Sequence, residues 1–241
     1  DFSWGLDDVA RATYWQASDQ KTIGQPIRAL IPSGNDYLIF GCTNSLWILT
    51  GDPTYGGSLR QLDPNVGVLS ETAWCSVPGA GIIVLSHDGL YAISGGGVTP
   101  ISKGKLPKEL IGIDPTLYTI SMCYEPRHRG VHVFATKTAG DTHEQPIAYW
   151  IDLEQQAFWP VEFDLGLGHS PMRAELQLLD NGSSRVLLAA KIGRLLYFSD
   201  SAVKDGDQTP GTLTGTVTGT VTLGPFRLGA NDFNEGMLTT L

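Results

Sequence analysis

Four times along the chain a short apolar run meets a tight polar turn and returns as a second apolar run. The pairs are Tyr37–Phe40 with Leu46–Leu49, Ile82–Leu85 with Leu90–Ile93, Val131–Phe134 with Ile147–Ile151, and Val186–Ala189 with Leu195–Phe198. The units begin at Asp36, Gly81, Gly130 and Arg185, at intervals of 45, 49 and 55 residues. Hairpins recurring at such a period predict a β-propeller rather than a sandwich or a single barrel. Flanking runs supply two more strands per unit, giving four-stranded blades. The outer strands are read at Ile27–Ile31 and Leu59–Leu62, Ala73–Val77 and Val98–Ile101, and Tyr118–Tyr124 and Phe158–Val161. In the fourth unit Leu176–Leu179 is the first strand, and the outermost strand is not marked.

The second strand of each unit is apolar at consecutive positions, as in Leu38-Ile39-Phe40, Ile82-Ile83-Val84-Leu85 and Val186-Leu187-Leu188. Continuous runs imply burial on both faces, the situation of a sheet packed between two neighbours. The third strands align on a small polar terminator: Thr50, Ser94, Asp152 and Ser199. Counting back from it, Leu49, Ile93, Ile151 and Phe198 form one stripe, and Trp47, Tyr91, Tyr149 and Leu196 form another on the same strand face. Aromatics repeated at equivalent places predict packing between blades. In the turns, Gly89 of His87-Asp88-Gly89 and Gly193 of Lys191-Ile192-Gly193 supply positive φ, and Cys42-Thr43-Asn44-Ser45 is a polar loop.

The irregular parts are few. Thr136–Pro146 is a long polar insertion in the third hairpin, read either as a contact loop or as a tolerated tip. Lys105–Leu110 is expected to hold one helical turn and Asp7–Trp15 a short helix. From Thr212 to Leu223 small and β-branched residues alternate, which predicts a long strand that needs a partner. The domain reading is therefore a propeller over 1–211, with four blades and an N-terminal blade fragment, followed by a β-segment over 212–241. The opening Asp1-Phe2-Ser3-Trp4-Gly5 and the closing Leu238-Thr239-Thr240-Leu241 suggest a segment of a longer polypeptide.

Length and composition agree with a packed domain: 241 residues, 41% hydrophobic and 17% charged. The formal net charge of −9 disfavours a protein that wraps nucleic acid by neutralising phosphates; it is that of an ordinary soluble surface, the reading preferred, and is compatible with an acidic lumen through which DNA slides. Three cysteines (Cys42, Cys75, Cys123) without a C-x-x-C predict reduced thiols. No apolar run reaches membrane-spanning length.

The chain carries no nucleophile elbow, P-loop, H-E-x-x-H or EF-hand pattern. His128 and His132 are four apart, but Gly130 and the β-run after it rule against a helix, so they are read as a turn and a partly buried strand histidine rather than metal ligands. Arg127-His128-Arg129 is read as a solvated turn, the alternative being a grip on an acidic neighbour or DNA phosphate. Asp7-Asp8 and Glu125 are read as carboxylates without an acid/base partner. Ser86-His87-Asp88-Gly89-Leu90-Tyr91 begins like the S-x-D-x-G-x-T-W box of propeller hydrolases, but Gly follows Asp directly and the Thr-Trp is missing. No catalytic, cofactor-binding or metal-binding residue is assigned, and no enzyme activity is expected.

Asn35-Asp36-Tyr37-Leu38-Ile39-Phe40-Gly41 with Ser45-Leu46-Trp47-Ile48-Leu49-Thr50-Gly51-Asp52-Pro53 resembles a blade of the virion-associated propeller proteins of tailed bacteriophages. Leu85–Tyr91 and the closing Gly224-Pro225-Phe226-Arg227-Leu228-Gly229 share that resemblance. The resemblance implies a structural component of the tail, neck or nozzle, assembled in the host cytoplasm into the virion. Its implied partners are other tail and neck proteins and further copies in a homo-oligomeric ring. Genomic DNA would pass through the ring without specific binding, and no membrane is involved. A carbohydrate-binding or glycan-cleaving propeller for host recognition is the alternative; it requires carboxylates and aromatics gathered at one mouth, with Trp15, Trp74 and Trp159 as the aromatics concerned.

Overall fold

A computed structural model describes residues 22–51, 57–102, 104–141, 144–163, 170–198, 226–227 and 235–236. The chain divides into two units, Asp1–Phe198 and Ser199–Leu241. In the second, the described residues form one short antiparallel pair, Phe226–Arg227 with Glu235–Gly236. The readings at Asp7–Trp15, Trp15 and Thr212–Leu223 fall outside the described residues.

The described residues of the first unit form an all-β structure. Sheet A is a meander of β1 (Ile27–Ser33), β2 (Tyr37–Cys42), β3 (Leu46–Thr50) and β4 (Ser58–Asp63). Sheet B follows with β5 (Trp74–Val77), β6 (Gly81–Leu85), β7 (Leu90–Ser94) and β8 (Gly97–Pro100). Sheet C contains β9 (Tyr118–Glu125), β10 (Gly130–Lys137), β11 (Ile147–Asp152) and β12 (Ala157–Pro160). Among the described residues sheet D has three strands, β13 (Pro171–Leu178), β14 (Ser184–Ala190) and β15 (Leu195–Tyr197). Every pairing is antiparallel and joins strands adjacent in the chain. The expected helical turn is a 3-10 turn at Lys108–Leu110 that buries Leu110. Among the described residues no helix is long and apolar enough to cross a membrane.

The first strands of sheets B, C and D lie alongside one another, β5 against β9 and β9 against β13. Sheet C is therefore packed on both faces. Ile120, Met122, Val131, Val133 and Ala135 join the core shared with sheets A and B, while Cys123, Phe134 and Ala148 meet Ala174, Val186 and Leu188 of sheet D. Small hydroxyl side chains fasten the joints. The Ser86 Oγ accepts from Gly67 N (3.2 Å), and the Ser121 Oγ accepts from Ala174 N (2.9 Å). Thr72 Oγ1 donates to the Ile120 carbonyl and Thr136 Oγ1 to that of Pro171, while Met122 N donates to the Thr72 carbonyl at 3.1 Å. These bonds satisfy backbone groups at the sheet margins that the ladders themselves leave over.

Two-sided burial holds for the middle sheets only. Four consecutive residues of β6 (Ile82–Leu85) are buried, and so are seven of β10 (Gly130–Thr136). In β2 and β14 burial alternates: Ile39, Val186 and Leu188 are buried, whereas Leu38, Phe40 and Leu187 are half-buried. The apolar runs there predicted cover on both sides, but among the described residues sheets A and D have a neighbouring sheet on one side. The stripe Trp47, Tyr91, Tyr149 and Leu196 is half-buried throughout. Its polar tips are all engaged: Trp47 Nε1 donates to Ser45 Oγ (3.0 Å), Tyr91 Oη to Asp88 Oδ2 (2.7 Å) and Tyr149 Oη to Glu109 Oε2 (3.1 Å). Burial, then the bond to Asp88 and its charge, push the Tyr91 phenol up to about 12.

Two turn expectations separate. Gly193 has φ +81°, as expected. Gly89 is not among the positive-φ residues; a β-carbon there would press on Ser102 Oγ, at 2.8 Å, which is occupied in accepting from Leu90 N. Glycine is needed at this place for close approach, not for a left-handed backbone.

Candidate functional site

Polar side chains gather around one space where β5, β9 and β13 come together. A cavity of about 310 Å³ opens there. Its rim carries Glu71, Trp74, Ser76, Tyr124, Arg173 and Glu175. Its floor is apolar, with Cys75, Met122, Cys123 and Ala174 all buried. The local sequences explain this division. In β5 and β13 alternate side chains turn inward (Cys75, Ala174), leaving Ser76, Arg173 and Glu175 exposed. In β9 the neighbours on both faces bury Ile120–Cys123, and exposure returns only at Tyr124.

Trp74 is half-buried, and its Nε1 donates to the Glu71 carbonyl at 2.9 Å, which fixes the indole against the rim. Arg173 Nη2 and Glu175 Oε2 stand 3.8 Å apart, with both side chains more than half exposed, at 53% and 73%. That is an ion pair by proximity but too long for a hydrogen bond. Beneath them the two thiols are held neutral. Burial pushes Cys123 up to about 12, with the charges of Glu175 and Glu125 adding to it. Burial, with Cys123 as a smaller cause, raises Cys75 as well. All three cysteines are free and buried, so the expected reduced thiols are present.

A second polar cluster lies at the β9–β10 turn. Glu125 reaches two histidines at once: His128 Nδ1 stands 3.1 Å from Oε1, and His132 Nε2 stands 3.1 Å from Oε2. The expectation of a carboxylate without a partner is thereby corrected. The register pairs His132 with Cys123, so Glu125, two residues further along β9, is a diagonal neighbour on the same face. His128 sits in the turn, about half exposed, and His132 in the strand, as read from the sequence, but His132 is buried outright rather than in part. His132 stacks on Phe134 (centroids 5.7 Å apart) and on Phe198 (4.8 Å), and its Nδ1 is buried without a hydrogen-bond partner. In the neutral ring the proton therefore belongs on Nε2, facing the carboxylate. Burial pushes Glu125 up, but hydrogen bonds and charge from His132, then His128, more than offset it and hold the carboxyl below its ordinary value. Each carboxylate oxygen is taken by one imidazole. Among the described residues no group of three or more His, Cys, Asp or Glu is arranged to hold a metal ion.

The basic turn, read from the sequence as simply solvated, instead grips acidic neighbours, His128 holding Glu125 and Arg129 holding Glu154, from an exposed position. Arg129 adopts φ +51° and pairs with Glu154 at 2.9 Å, both side chains being well exposed. The 136–146 insertion is shorter than expected, because Thr136 and Lys137 belong to β10. Its described residues are tied to the segments that flank sheet D. Lys191 Nζ donates to the carbonyls of Lys137 (2.9 Å) and Gly140 (3.2 Å), and Ser170 Oγ donates to that of Glu144 (2.6 Å). Lys137 and Glu144 also pair across its base. Trp159 is 52% exposed on β12, opposite Trp150, and does not border the cavity. In the partial hydrolase box Ser86 is buried and serves Gly67, while Asp88 serves Tyr91.

No family model matches this chain, and no curated protein matches it. Among solved structures it is similar to a hemopexin fold protein, CP4, from cow pea, at 12% identity over 72% of this chain and 91% of that one, with a TM-score of 0.36. A 2S albumin seed protein from Dolichos is similar at 13% identity over 81% of this chain and 93% of that one, also with a TM-score of 0.36.

Proposed function

We propose that the chain is a β-propeller module of a tailed-phage virion, a non-catalytic part of the tail, neck or nozzle that works by assembly with copies of itself and with other tail proteins. The observation that carries this reading is the succession of antiparallel meanders whose first strands, β5, β9 and β13, lie side by side. That relation is the one blades bear to one another around an axis. Closure of the series into a ring of blades is part of the proposal. Support for the virion comes from the resemblance at Asn35–Pro53, Leu85–Tyr91 and Gly224–Gly229 to propellers of that setting. Most of the large apolar side chains are spent between sheets, which suits a scaffold. The net charge of −9 suits a wall along which DNA slides without sticking.

Electron microscopy of the purified chain, with immunogold labelling of the particles that carry it, tests the proposal. Ring-shaped oligomers with a central channel, and gold at the tail or neck, are the expected result. A monomer at all concentrations together with unlabelled particles would overturn it.

A further inference from the structure

We propose that the cavity bordered by β5, β9 and β13 binds a neutral saccharide of one or two rings. This goes beyond a scaffold role and stands independently of membership in a virion.

The argument starts from the charges. Glu71 and Glu175 face the space together with Arg173, so carboxylate and guanidinium border one small cavity. A strongly anionic ligand meets two carboxylates, and a strongly cationic one meets the guanidinium. A neutral polyol suffers neither repulsion and uses both groups, its hydroxyls donating to the carboxylates and accepting from Arg173. The 3.8 Å separation of Arg173 and Glu175 is too long to satisfy either group, leaving donor and acceptor capacity at the rim.

The aromatics supply the second requirement. A pyranose has one face of C–H groups, which an indole or phenol ring covers while its edges stay polar. Trp74 and Tyr124 border the same space, from adjacent first strands. The Trp74 ring is already fixed by its bond to the Glu71 carbonyl, so little freedom remains to be lost on binding. Trp159, exposed but remote from carboxylates in this cavity, lacks that combination.

Size and floor set the class further. At about 310 Å³ the cavity is at the small end of the roughly 300–1,000 Å³ typical of small-molecule sites. That suits one or two sugar rings, not a long chain. Neither thiol of the floor is ionised at neutral pH, and Cys75, Cys123 and Ala174 form a closed apolar base. With no positioned acid and base pair established around a scissile bond, the inference is of binding alone.

Saturation-transfer NMR on the full chain, with maltose, cellobiose, lactose and N,N′-diacetylchitobiose each in the roughly millimolar range, reads the site directly. At least one disaccharide is expected to receive transfer. In the double variant Arg173→Met, Glu175→Gln its dissociation constant should rise about tenfold or more. Both side chains are exposed, so this variant keeps the fold; Trp74→Ala, which also removes packing, is read only where circular dichroism matches the parent. The proposal is overturned by an absence of transfer from every disaccharide, by equal binding in the double variant, or by transfer confined to a control set of short extended peptides.

Discussion

The Ser121 hydroxyl oxygen accepts a hydrogen bond from the backbone N–H of Ala174 at 2.9 Å, joining β9 to β13 across 53 positions of sequence. Both residues are buried, with Ser121 1% and Ala174 2% exposed. A serine buried between Ile120 and Met122 is thus a fastening between sheets. Replacing it with alanine leaves the Ala174 N–H dry and unpaired. Ser121→Ala is expected to destabilise the chain by about 1–3 kcal/mol, measured as a lowered urea midpoint with an unchanged slope.

Gly67 stands against the Thr43 and Cys42 carbonyls where the linker leaves sheet A, and its N–H is held by Ser86. A methyl group there would overlap backbone, which has no rotamer to move into. Gly67→Ala should cost more than about 2 kcal/mol, whereas Gly182→Ala, with open space around it but φ +78°, should cost only the backbone term of about 1 kcal/mol. Thermal unfolding of the two variants side by side distinguishes overlap from strain.

Glu125 titrates below its ordinary value in the folded chain, so its ionised form stabilises the fold. That contribution is present in full above the ordinary glutamate value and is lost as pH falls through the lower folded one. Glu125→Gln should therefore lower the melting temperature at neutral pH and flatten its fall on acidification. Melting curves taken between neutral and strongly acidic pH decide this; parallel curves for the two proteins would contradict it.

Cys42, Cys75 and Cys123 are buried, and their thiols all titrate above the ordinary value, chiefly through burial. Only thiolate reacts with disulfide reagents. The native chain should show negligible reaction at mildly alkaline pH over minutes, and all three should react on unfolding in guanidinium chloride. Release by denaturant of three thiols per chain is the expected readout.

Ile83 of β6 is 1% exposed between two packed faces, and Leu38 of β2 is half-buried. Truncation to alanine should cost about 2–5 kcal/mol at Ile83 and markedly less at Leu38. Equal losses would mean that the outer face of sheet A is covered as fully as that of sheet B.

These residues also mark how far the sequence was legible. The hairpins at 82–93 and 131–151 stood out because apolar residues are consecutive there and the turns between are polar. Only the second half of β13 carries a strand signal: its first residues, Pro171-Met172-Arg173-Ala174-Glu175, bury a proline and an alanine, so no apolar alternation announces a strand there, and a register shift interrupts its pairing with β14. The tie between Glu125 and His132 needs the β9–β10 register, which spacing alone does not supply. The cavity was harder still. Trp74 was among the aromatics the sequence singled out, yet its neighbours Arg173 and Glu175 lie about a hundred positions away and reach it only through the packing of one sheet on the next.

Because each sheet is a meander of consecutive strands, almost every backbone ladder closes a short loop of chain, and only the joints between sheets span longer stretches. Local closure is entropically cheap, whereas the contacts between sheets must first meet the cost of closing longer stretches of chain. The same arrangement grades persistence along the molecule. Among the described residues sheets B and C are held from both sides and sheets A and D from one, so opening begins at the flanks. Amides of β6 and β10 would then be the last to exchange with deuterated solvent, well after those of β2 and β14.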